Sequence, residues 1–360
     1  MSMAGVYLCD SDRLYLGRLH SFLRERIRLP LKWKEYTDVS YLPQTAGQTI
    51  NAVLVIGERQ ADPVICGAFR AVMVLTEGAS LKNTADSPMK ATPDEEKIQT
   101  YPKQSENTIV CMSRYQRASV IAEQLLELLT LLEGNLVPRD EAGNTGSHVT
   151  AYYTPLGRCM QTSMALASGQ ILSATGRALY IGFDTFPVNA LTGESMNGDI
   201  TDLLYYADVA REKLPVYLER IKCRIGNLEY IPPASSVYRT QGADGKEMIS
   251  LLRAIREDDR PDALLLDLTE HAPGLTDLLS FADEVITITG HDRRDAEKIE
   301  GYKRWLAGNG MEHVLQKTRF CKLPAQCRLP PSPDRLMTSM LGTYIKKNGL
   351  LPCGKRTAAG

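Results

Sequence analysis

Two stretches in which short apolar segments alternate with amphipathic ones constrain the fold of this chain more than any other feature of its sequence. The first stretch begins with the apolar run 5–9 and ends with an amphipathic helix pattern over 117–132. The second starts at residue 149 and contains apolar strand patterns at 178–183, 263–268 and 284–289. Strands that alternate with helices favour parallel pairing through helical crossovers. The sequence therefore predicts an α/β protein with two doubly wound domains and mostly parallel sheets.

A polar segment separates the two stretches and marks a domain boundary. Residues 136–148, LVPRDEAGNTGSH, combine proline, glycine and charge, which is typical of a linker. We therefore predict domains at 1–135 and 149–325, joined by this linker, and a tail at 326–360. The tail carries one candidate helix over 335–347, whose amphipathic pattern fits packing on its own domain better than a membrane anchor.

Composition limits the classes of function. The 42 Lys and Arg residues nearly balance the 43 Asp and Glu residues, and no basic recognition helix stands out, so we expect no nucleic-acid partner. No apolar run reaches the roughly 20 residues that cross a bilayer, and the N-terminal segment does not resemble a signal peptide. The eight scattered cysteines form no CxxC pair, which favours reduced thiols. These features predict a cytoplasmic protein that meets a membrane only peripherally.

Polar side chains follow several strand patterns of the first domain. Asp10 and Asp12 come directly after the first strand, Thr76 ends the strand at 71–75, and Lys103 follows a polar loop. Two carboxylates at the carboxyl end of a parallel strand can hold a divalent cation. This order of acid pair, hydroxyl and lysine resembles the receiver domains of two-component signalling.

The third strand of this domain departs from the receiver pattern. In that family the third strand ends in the aspartate that accepts phosphate, whereas this strand ends at Gly57, which has no acceptor group. The resemblance therefore implies a receiver-like, flavodoxin-like fold without phosphorylation. A second interpretation remains open, in which Asp10 and Asp12 are turn and helix-cap residues and Thr76 and Lys103 are ordinary surface residues.

A loop at 155–162 connects a strand pattern to a helix pattern in the second domain. Backbone N–H groups and the helix N-terminus bind phosphate at such a loop. The sequence Pro-Leu-Gly-Arg-Cys-Met-Gln-Thr resembles the ParA/MinD loop Gly-Lys-Gly-Gly-Val-Gly-Lys-Thr, with matches at Gly157 and Thr162. The resemblance implies a nucleotide-binding loop that comprises Gly157, Arg158, Cys159, Met160, Gln161, Thr162 and Ser163.

Four substitutions make that loop degenerate. Gln161 replaces the lysine that neutralises phosphate, and Leu156 replaces the second, signature lysine of the family. Met160 replaces a glycine where the backbone must approach phosphate closely, and Pro155 removes one N–H. Arg158 offers a substitute cation. We expect weak nucleotide binding at most and no efficient hydrolysis; an ordinary strand-to-helix turn is the alternative interpretation.

Two further strand ends extend the resemblance. Asp184 follows the strand at 178–183, where the family has an aspartate pair, and the apolar run ALLLDL contains Asp267 as a Walker B motif does. The resemblance implies that Thr162, Asp184 and Asp267 would hold magnesium. ATP and magnesium are thus the ligands that the family uses, whereas the altered loop predicts no resident cofactor.

The order of the two domains is similar to that of the TadZ/CpaE group of pilus-assembly proteins, and the stretches TDLLYYA and LEYIPPASS also resemble this group. The resemblance spans residues 1–325 and implies sheets of about five and seven strands. It further implies a homodimer that binds pilus or secretion machinery at the membrane or a cell pole. We predict a scaffold or localisation factor. The alternatives are an ATP-dependent dimerisation switch with weak ATPase activity and a signalling regulator with a pseudo-receiver domain.

Overall fold

Two separate sheets organise the chain. The computed structural model describes residues 4–43, 49–78, 107–132, 147–157, 159–184, 198–234, 244–324, 327 and 329–352. The chain divides into two compact units, Met1–Pro138 with Pro215–Arg220 and Arg139–Leu214 with Ile221–Gly360. Residues 136–146 of the predicted linker lie outside the described residues. Both sheets are mostly parallel, which confirms the predicted α/β class.

The first unit contains a five-stranded sheet in the order β2-β1-β3-β4-β5, and every neighbouring pair is parallel. This is the flavodoxin-like strand order. The predicted number of strands is confirmed. The strands are β1 Gly5–Cys9, β2 Lys32–Tyr36, β3 Ile50–Gly57, β4 Phe69–Thr76 and β5 Thr108–Ser113, and the helices are α1 Arg13–Arg26, α2 Pro63–Gly67 and α3 Ala118–Leu129, with 3-10 turns at Val39–Tyr41 and Glu58–Gln60.

Apolar side chains cover both faces of this sheet. The central strands β3 and β4 are almost continuously buried, as expected for parallel strands between two layers. On one face, α1 and α3 contribute rows of leucines at helical spacing, such as Leu16, Leu19 and Leu23. On the other face, Phe69 and Val72 belong to a second cluster. The sheet is therefore the middle layer of an α/β sandwich.

The second unit contains a seven-stranded sheet in the order β12-β11-β6-β10-β7-β9-β8, which confirms the predicted strand number. Among the described strands, β8 and β9 form an antiparallel pair and the remaining neighbours are parallel. The strands are β6 His148–Tyr152, β7 Ala178–Gly182, β8 Cys223–Ile225, β9 Leu228–Ile231, β10 Ala263–Asp267, β11 Glu284–Thr289 and β12 Thr318–Lys322. The helices are α4 Gln161–Leu172, α5 Ile200–Val209, α6 Leu214–Ile221, α7 Gly245–Asp258, α8 Leu275–Phe281, α9 Arg293–Gly308, α10 Glu312–Gln316 and α11 Met340–Lys347, with 3-10 turns at Arg211–Lys213 and Pro333–Thr338.

Helix α4 is buried on every side, which explains its uniformly small and apolar sequence. Seven consecutive residues from Met164 to Gln170 are inaccessible to solvent. Gly169 faces the sheet, and a Cβ atom there would lie within 3 Å of Leu228 and Leu265 side-chain carbons. Glycine thus allows close helix–sheet packing. The helix is held in a fixed position directly behind the loop at 153–160.

The C-terminal segment 329–352 covers the outer side of α4. Gln170 donates to the Pro333 carbonyl at 2.7 Å and accepts from the Met337 N–H at 2.9 Å. The sequence predicted one helix over 335–347, but the chain forms a 3-10 turn and then α11, because Ser339 is extended and caps the second helix. The apolar residues Leu336, Leu341 and Ile345 lie in the core of the unit.

A buried network of ion pairs lies on the side of the second sheet where β7 and β10 begin. The Lys222 ammonium is 2.6 Å from Asp259 and 3.5 Å from Glu229, and its side chain is only 2% exposed. Arg177 contacts the same two carboxylates at 2.9 and 3.4 Å, and Arg224 lies 3.3 Å from Glu229. Burial raises the pKa of Asp259, but the Lys222 and Arg177 charges outweigh burial and hold this pKa below its usual value.

No helix in the described ranges combines the length and the apolar composition needed to cross a lipid bilayer.

Candidate functional site

Asp10 and Asp12 lie at the carboxyl edge of the first sheet, immediately after β1. Asp10 is buried, and its Oδ1 accepts the backbone N–H of Asp12 at 2.8 Å. Asp12 is the N-cap of α1, because its Oδ1 accepts the N–H groups of Leu14 and Tyr15 at 3.1 Å. Both carboxylates therefore have the turn and cap roles of the second interpretation given above.

The Asp10 carboxylate fills the space beside Gly57, the last residue of β3. A Cβ atom on Gly57 would lie 2.7 Å from Asp10 Oδ2 and 3.2 Å from its Cγ. Contacts this short do not occur between real Cβ atoms and their neighbours. Any side chain at position 57 therefore requires the buried Asp10 to move.

Arg114 supplies the positive charge at this edge, directly after β5. Its guanidinium lies 3.6 Å from Asp10 Oδ2, 3.8 Å from Asp12 Oδ2 and 3.4 Å from Glu77 Oε1. It also packs 4.3 Å from the centre of the Tyr15 ring. A guanidinium among these carboxylates balances the charge that would otherwise attract a divalent cation. In the described part of the chain, no group of three or more His, Cys, Asp or Glu residues is arranged to hold a metal ion.

The two remaining residues predicted for this edge have different outcomes. The Thr76 hydroxyl donates to the Met112 carbonyl of the adjacent strand at 3.3 Å. Lys103 lies outside the described residues. The sequence did contain a signal for Arg114, since this arginine follows the apolar run TIVCMS as directly as Asp10 follows the first strand. That signal was missed because the sequence analysis sought a lysine.

We expect Gly57→Asp, which restores the receiver acceptor, to lower the free energy of unfolding by about 1–3 kcal/mol. The new side chain overpacks against Asp10 and places a second carboxylate beside it. Urea denaturation followed by circular dichroism measures the loss. Gly67→Ala is the matched control, because no atom lies within 4 Å of the Cβ that it adds. Equal stability of the Gly57→Asp variant and the unmodified chain would contradict the close contact.

The loop at 153–160 leaves β6 and is anchored to the neighbouring strand β11. The Tyr153 N–H donates to the Ile286 carbonyl at 3.1 Å, and the Thr154 hydroxyl donates to the Ile288 carbonyl at 2.8 Å. The same hydroxyl accepts the Leu156 N–H at 3.3 Å. The loop then enters α4, as predicted for a strand–loop–helix unit. Arg158 lies outside the described residues.

Met160 adopts the left-handed conformation just before α4. Its φ and ψ angles are 64° and 27°, which glycine adopts without strain and other residues rarely do. For an L-residue this conformation costs roughly 1–2 kcal/mol. The backbone therefore still has the shape for which the ParA/MinD loop uses glycine, although a methionine occupies the position. Its side chain packs against the core of the unit together with Cys159.

Gln161, which occupies the position of the P-loop lysine, is bonded to the end of β10. Its side-chain amide donates to Asp267 Oδ1 at 2.6 Å and to the Leu268 carbonyl at 2.9 Å. The other oxygen of Asp267 accepts the Tyr180 hydroxyl at 2.8 Å. Both carboxylate oxygens of the Walker B aspartate are thus occupied by side chains of this unit.

Burial controls the charge of this carboxylate. Burial raises the pKa of Asp267 above its usual value, although hydrogen bonds from three side chains, Thr162 among them, act in the opposite direction. The charge of Asp184 raises the same pKa further, which indicates that Asp184 faces Asp267. Tyr180 is also buried, and its pKa is raised by burial and by Asp267. Tyr180 is a member of this cluster that sequence reasoning missed, because within the strand ALYIG it is indistinguishable from a core residue.

The strand ends bring most of the predicted site residues together. Asp267 pairs in register with Tyr152 of β6 and Gly182 of β7, so the residues after these strands share one edge. Thr162 bonds to Asp267, and Ser163 follows in the first turn of α4. Gly157 lies in the loop with open space beside it. The Cys159 thiol points to the Leu156 carbonyl at 3.6 Å, and burial raises its pKa, so it is not a reactive thiolate.

This arrangement does not fit a magnesium nucleotide. The residue at the lysine position is uncharged, and its amide bonds to Asp267. Magnesium requires ionised, accessible oxygens, whereas Asp267 is 2% exposed and its raised pKa favours the neutral form. The N-terminus of α4 still presents backbone N–H groups to the loop. The loop therefore retains the shape of a phosphate-binding loop without the side chains that bind a triphosphate.

Comparisons with known proteins identify similar folds only. No protein-family model matches the chain, and no curated protein sequence is significantly similar. A ParA family ATPase from Chlorobium tepidum aligns with a TM-score of 0.43 and 12% identity over 54% of this chain and 82% of its own. A plasmid partition protein from Borrelia burgdorferi aligns at 0.39 and 11% over 56% of this chain and 99% of its own. The septum site-determining protein MinD from Pyrococcus horikoshii aligns at 0.36 and 16%, over 48% and 68%.

The structure defines an α/β protein with mostly parallel sheets, consistent with a P-loop NTPase fold. Its structural neighbours are ParA/MinD-family P-loop ATPases, at low identity and over about half of this chain.

Proposed function

We propose that this chain is a scaffold or localisation factor with a degenerate nucleotide site, of the kind found in the TadZ/CpaE group. The observation that carries the proposal is the bond from the Gln161 amide to Asp267. This bond joins the two positions that would otherwise bind phosphate and magnesium, so the loop is closed by its own side chains. A protein whose catalytic positions bond to each other keeps the fold as a binding platform.

The proposal extends to partners and location. The sequence resemblance to the TadZ/CpaE group supports self-association as a homodimer and binding to pilus or secretion machinery. On the same grounds, we propose that the protein acts in the cytoplasm and is recruited to the inner face of the membrane or to a cell pole. The receiver-like unit has no acceptor at Gly57 and an arginine among its carboxylates, which supports a role in binding over phosphate-driven signalling.

We expect the full chain to show no magnesium-dependent ATP turnover and no thermal stabilisation by Mg-ATP. A ligand at about 100 times its Kd adds about 2.7 kcal/mol of stability, so about 1 mM ATP would reveal any Kd below about 10 μM. Phosphate release and differential scanning fluorimetry measure the two properties. Mg-ATP is compared with Mg-free ATP, which controls for binding that does not involve the metal.

Asp267→Ala separates the two competing functions. Turnover by the unmodified chain that this substitution abolishes would overturn the scaffold proposal in favour of the ATP-dependent dimerisation switch. Turnover that persists in the variant indicates a contaminating ATPase and leaves the expected result to be measured on repurified protein.

A further inference from the structure

The four most exposed large apolar side chains in the described part of the chain lie at one edge of the first sheet. Their exposed fractions lie between 74% and 83%, and the residues are Leu14, Tyr41, Val64 and Tyr115. Each one follows the carboxyl end of a different strand, namely β1, β2, β3 and β5. Because these strands are parallel, all four side chains are carried by the same edge of the sheet. We call these four residues the apolar rim.

Single exposed apolar residues are common on protein surfaces and need no explanation. A group of them at one edge is different, because monomeric proteins rarely leave large apolar patches uncovered. Leu14 and Val64 each stand in the first turn of a helix, and Tyr41 and Tyr115 stand in short turns. Adjacent strands lie about 4.8 Å apart, so the rim extends for roughly 19 Å from β2 to β5. This span suits contact with a segment of another protein.

The charges at the same edge indicate what such a segment carries. The described segments that follow the five strands hold six carboxylates and four guanidinium groups, which leaves a net charge of −2 at neutral pH. Two of the arginines, Arg59 and Arg114, are paired with Glu77 at 2.7 and 3.4 Å. The acidic side chains are Asp10, Asp12, Asp38, Glu58, Asp62 and Glu77, and the basic ones are Arg13, Arg59, Arg114 and Arg117.

We propose that the apolar rim is the docking surface for a protein segment that presents lysine or arginine among apolar residues. Apolar side chains of the partner would cover the rim, and its cations would complement the acidic caps Asp12, Asp38 and Asp62. A second copy of this chain is a poorer occupant, because two surfaces of net charge −2 repel each other. The proposal rests on the scaffold function above and assigns it a partner-binding surface.

A peptide selection on the full chain tests the docking surface. A phage-displayed library of random peptides is panned against the protein, and the selected peptides are synthesised and titrated by fluorescence anisotropy. We expect selected sequences in which lysine or arginine stands beside leucine or an aromatic residue. Leu14→Ser combined with Tyr115→Ser should weaken their binding at least tenfold. Phe22→Ser is the matched control, since Phe22 is a partly exposed residue of α1 that lies outside the rim.

A second set of variants tests the charge separately from folding. Asp12→Asn, Asp38→Asn and Asp62→Asn together remove three negative charges, while asparagine caps a helix as well as aspartate does. We expect this triple variant to bind the peptides at least tenfold more weakly and with less dependence on salt. Circular dichroism verifies that each variant is folded.

Three results would overturn the proposal. The first is a selection that yields no peptide whose affinity depends on the rim, and the second is a consensus rich in acidic residues. The third is a dimer that Leu14→Ser with Tyr115→Ser dissociates in sedimentation equilibrium, which would assign the rim to a second copy. These outcomes are distinguishable from failure of the scaffold function, because ATP turnover is measured at the other unit and leaves the peptide result unchanged.

Discussion

Lys222→Met is expected to lower the free energy of unfolding by about 3 kcal/mol, because it leaves two buried carboxylates without their ammonium partner. For a unit of this size, the loss corresponds to a decrease of roughly 6–12 °C in Tm. Methionine keeps most of the side-chain volume, so the effect reports the charge. Differential scanning calorimetry of the full chain measures it.

Arg224→Met is the matched control for this prediction. Arg224 belongs to the same network, but its side chain is 25% exposed, and its single contact with Glu229 is 3.3 Å long. We expect a loss below about 1 kcal/mol. Adding Asp259→Asn to Lys222→Met should recover part of the stability, because the second substitution removes one of the two unpaired charges. Equal losses for Lys222→Met and Arg224→Met would show that burial does not govern the network.

The network also predicts how stability depends on pH. The pKa of Asp259 lies below its usual value in the folded protein, so the folded state binds fewer protons than the unfolded state in that range. Its contribution is therefore complete above the unfolded pKa of about 4 and is lost as the pH falls through the folded pKa. Lys222→Met, which removes the main cause of the depressed pKa, should make unfolding less sensitive to acid in this range.

The double variant Met160→Gly with Gln161→Lys is expected to raise the affinity for Mg-ATP by about 100-fold. Glycine removes the left-handed strain and the side chain beside the backbone N–H groups. Lysine adds a charge where electrostatic groups in such sites contribute a few kcal/mol. Isothermal titration calorimetry compares the double variant with the unmodified chain. The two positions share one loop, so their effects need not add.

Met160→Gly with Gln161→Met controls for the changes in backbone and packing. This variant has the same glycine and a side chain of similar length to lysine, without the charge. We expect its affinity for Mg-ATP to stay close to that of the unmodified chain. If the lysine variant binds no better than this control, the loop at 153–160 is an ordinary strand-to-helix turn, and the resemblance to ParA/MinD proteins does not extend to phosphate.

The sequence predicted the fold more completely than the sites, for a physical reason. Apolar runs such as 263–268 and 52–56 report burial directly, and burial on both faces is what a parallel strand requires. The position of Asp267 at a strand end follows from the same pattern. The bond between Gln161 and Asp267 joins residues that are 106 positions apart, and no local pattern encodes it.

Other features depended on contacts that no local signal reveals. Arg114 takes its role from carboxylates on two other strand ends, so its residue type alone did not identify it. The helix predicted over 335–347 had a consistent amphipathic pattern, but the break at Ser339 arises because Met337 bonds to Gln170 of α4. Tertiary contacts of this kind override local propensity.

The C-terminal cover of α4 has a consequence for the order of folding during synthesis. The contact between Gln170 and Met337 joins residues that are 167 positions apart. Translation proceeds at about 5–20 residues per second, so the ribosome needs roughly 10–30 seconds to add the intervening residues after α4. During that interval, the apolar outer side of α4 has no cover from this chain. The second unit therefore completes its core only after residues 329–352 leave the ribosome, whereas every strand of the first sheet has already emerged by then.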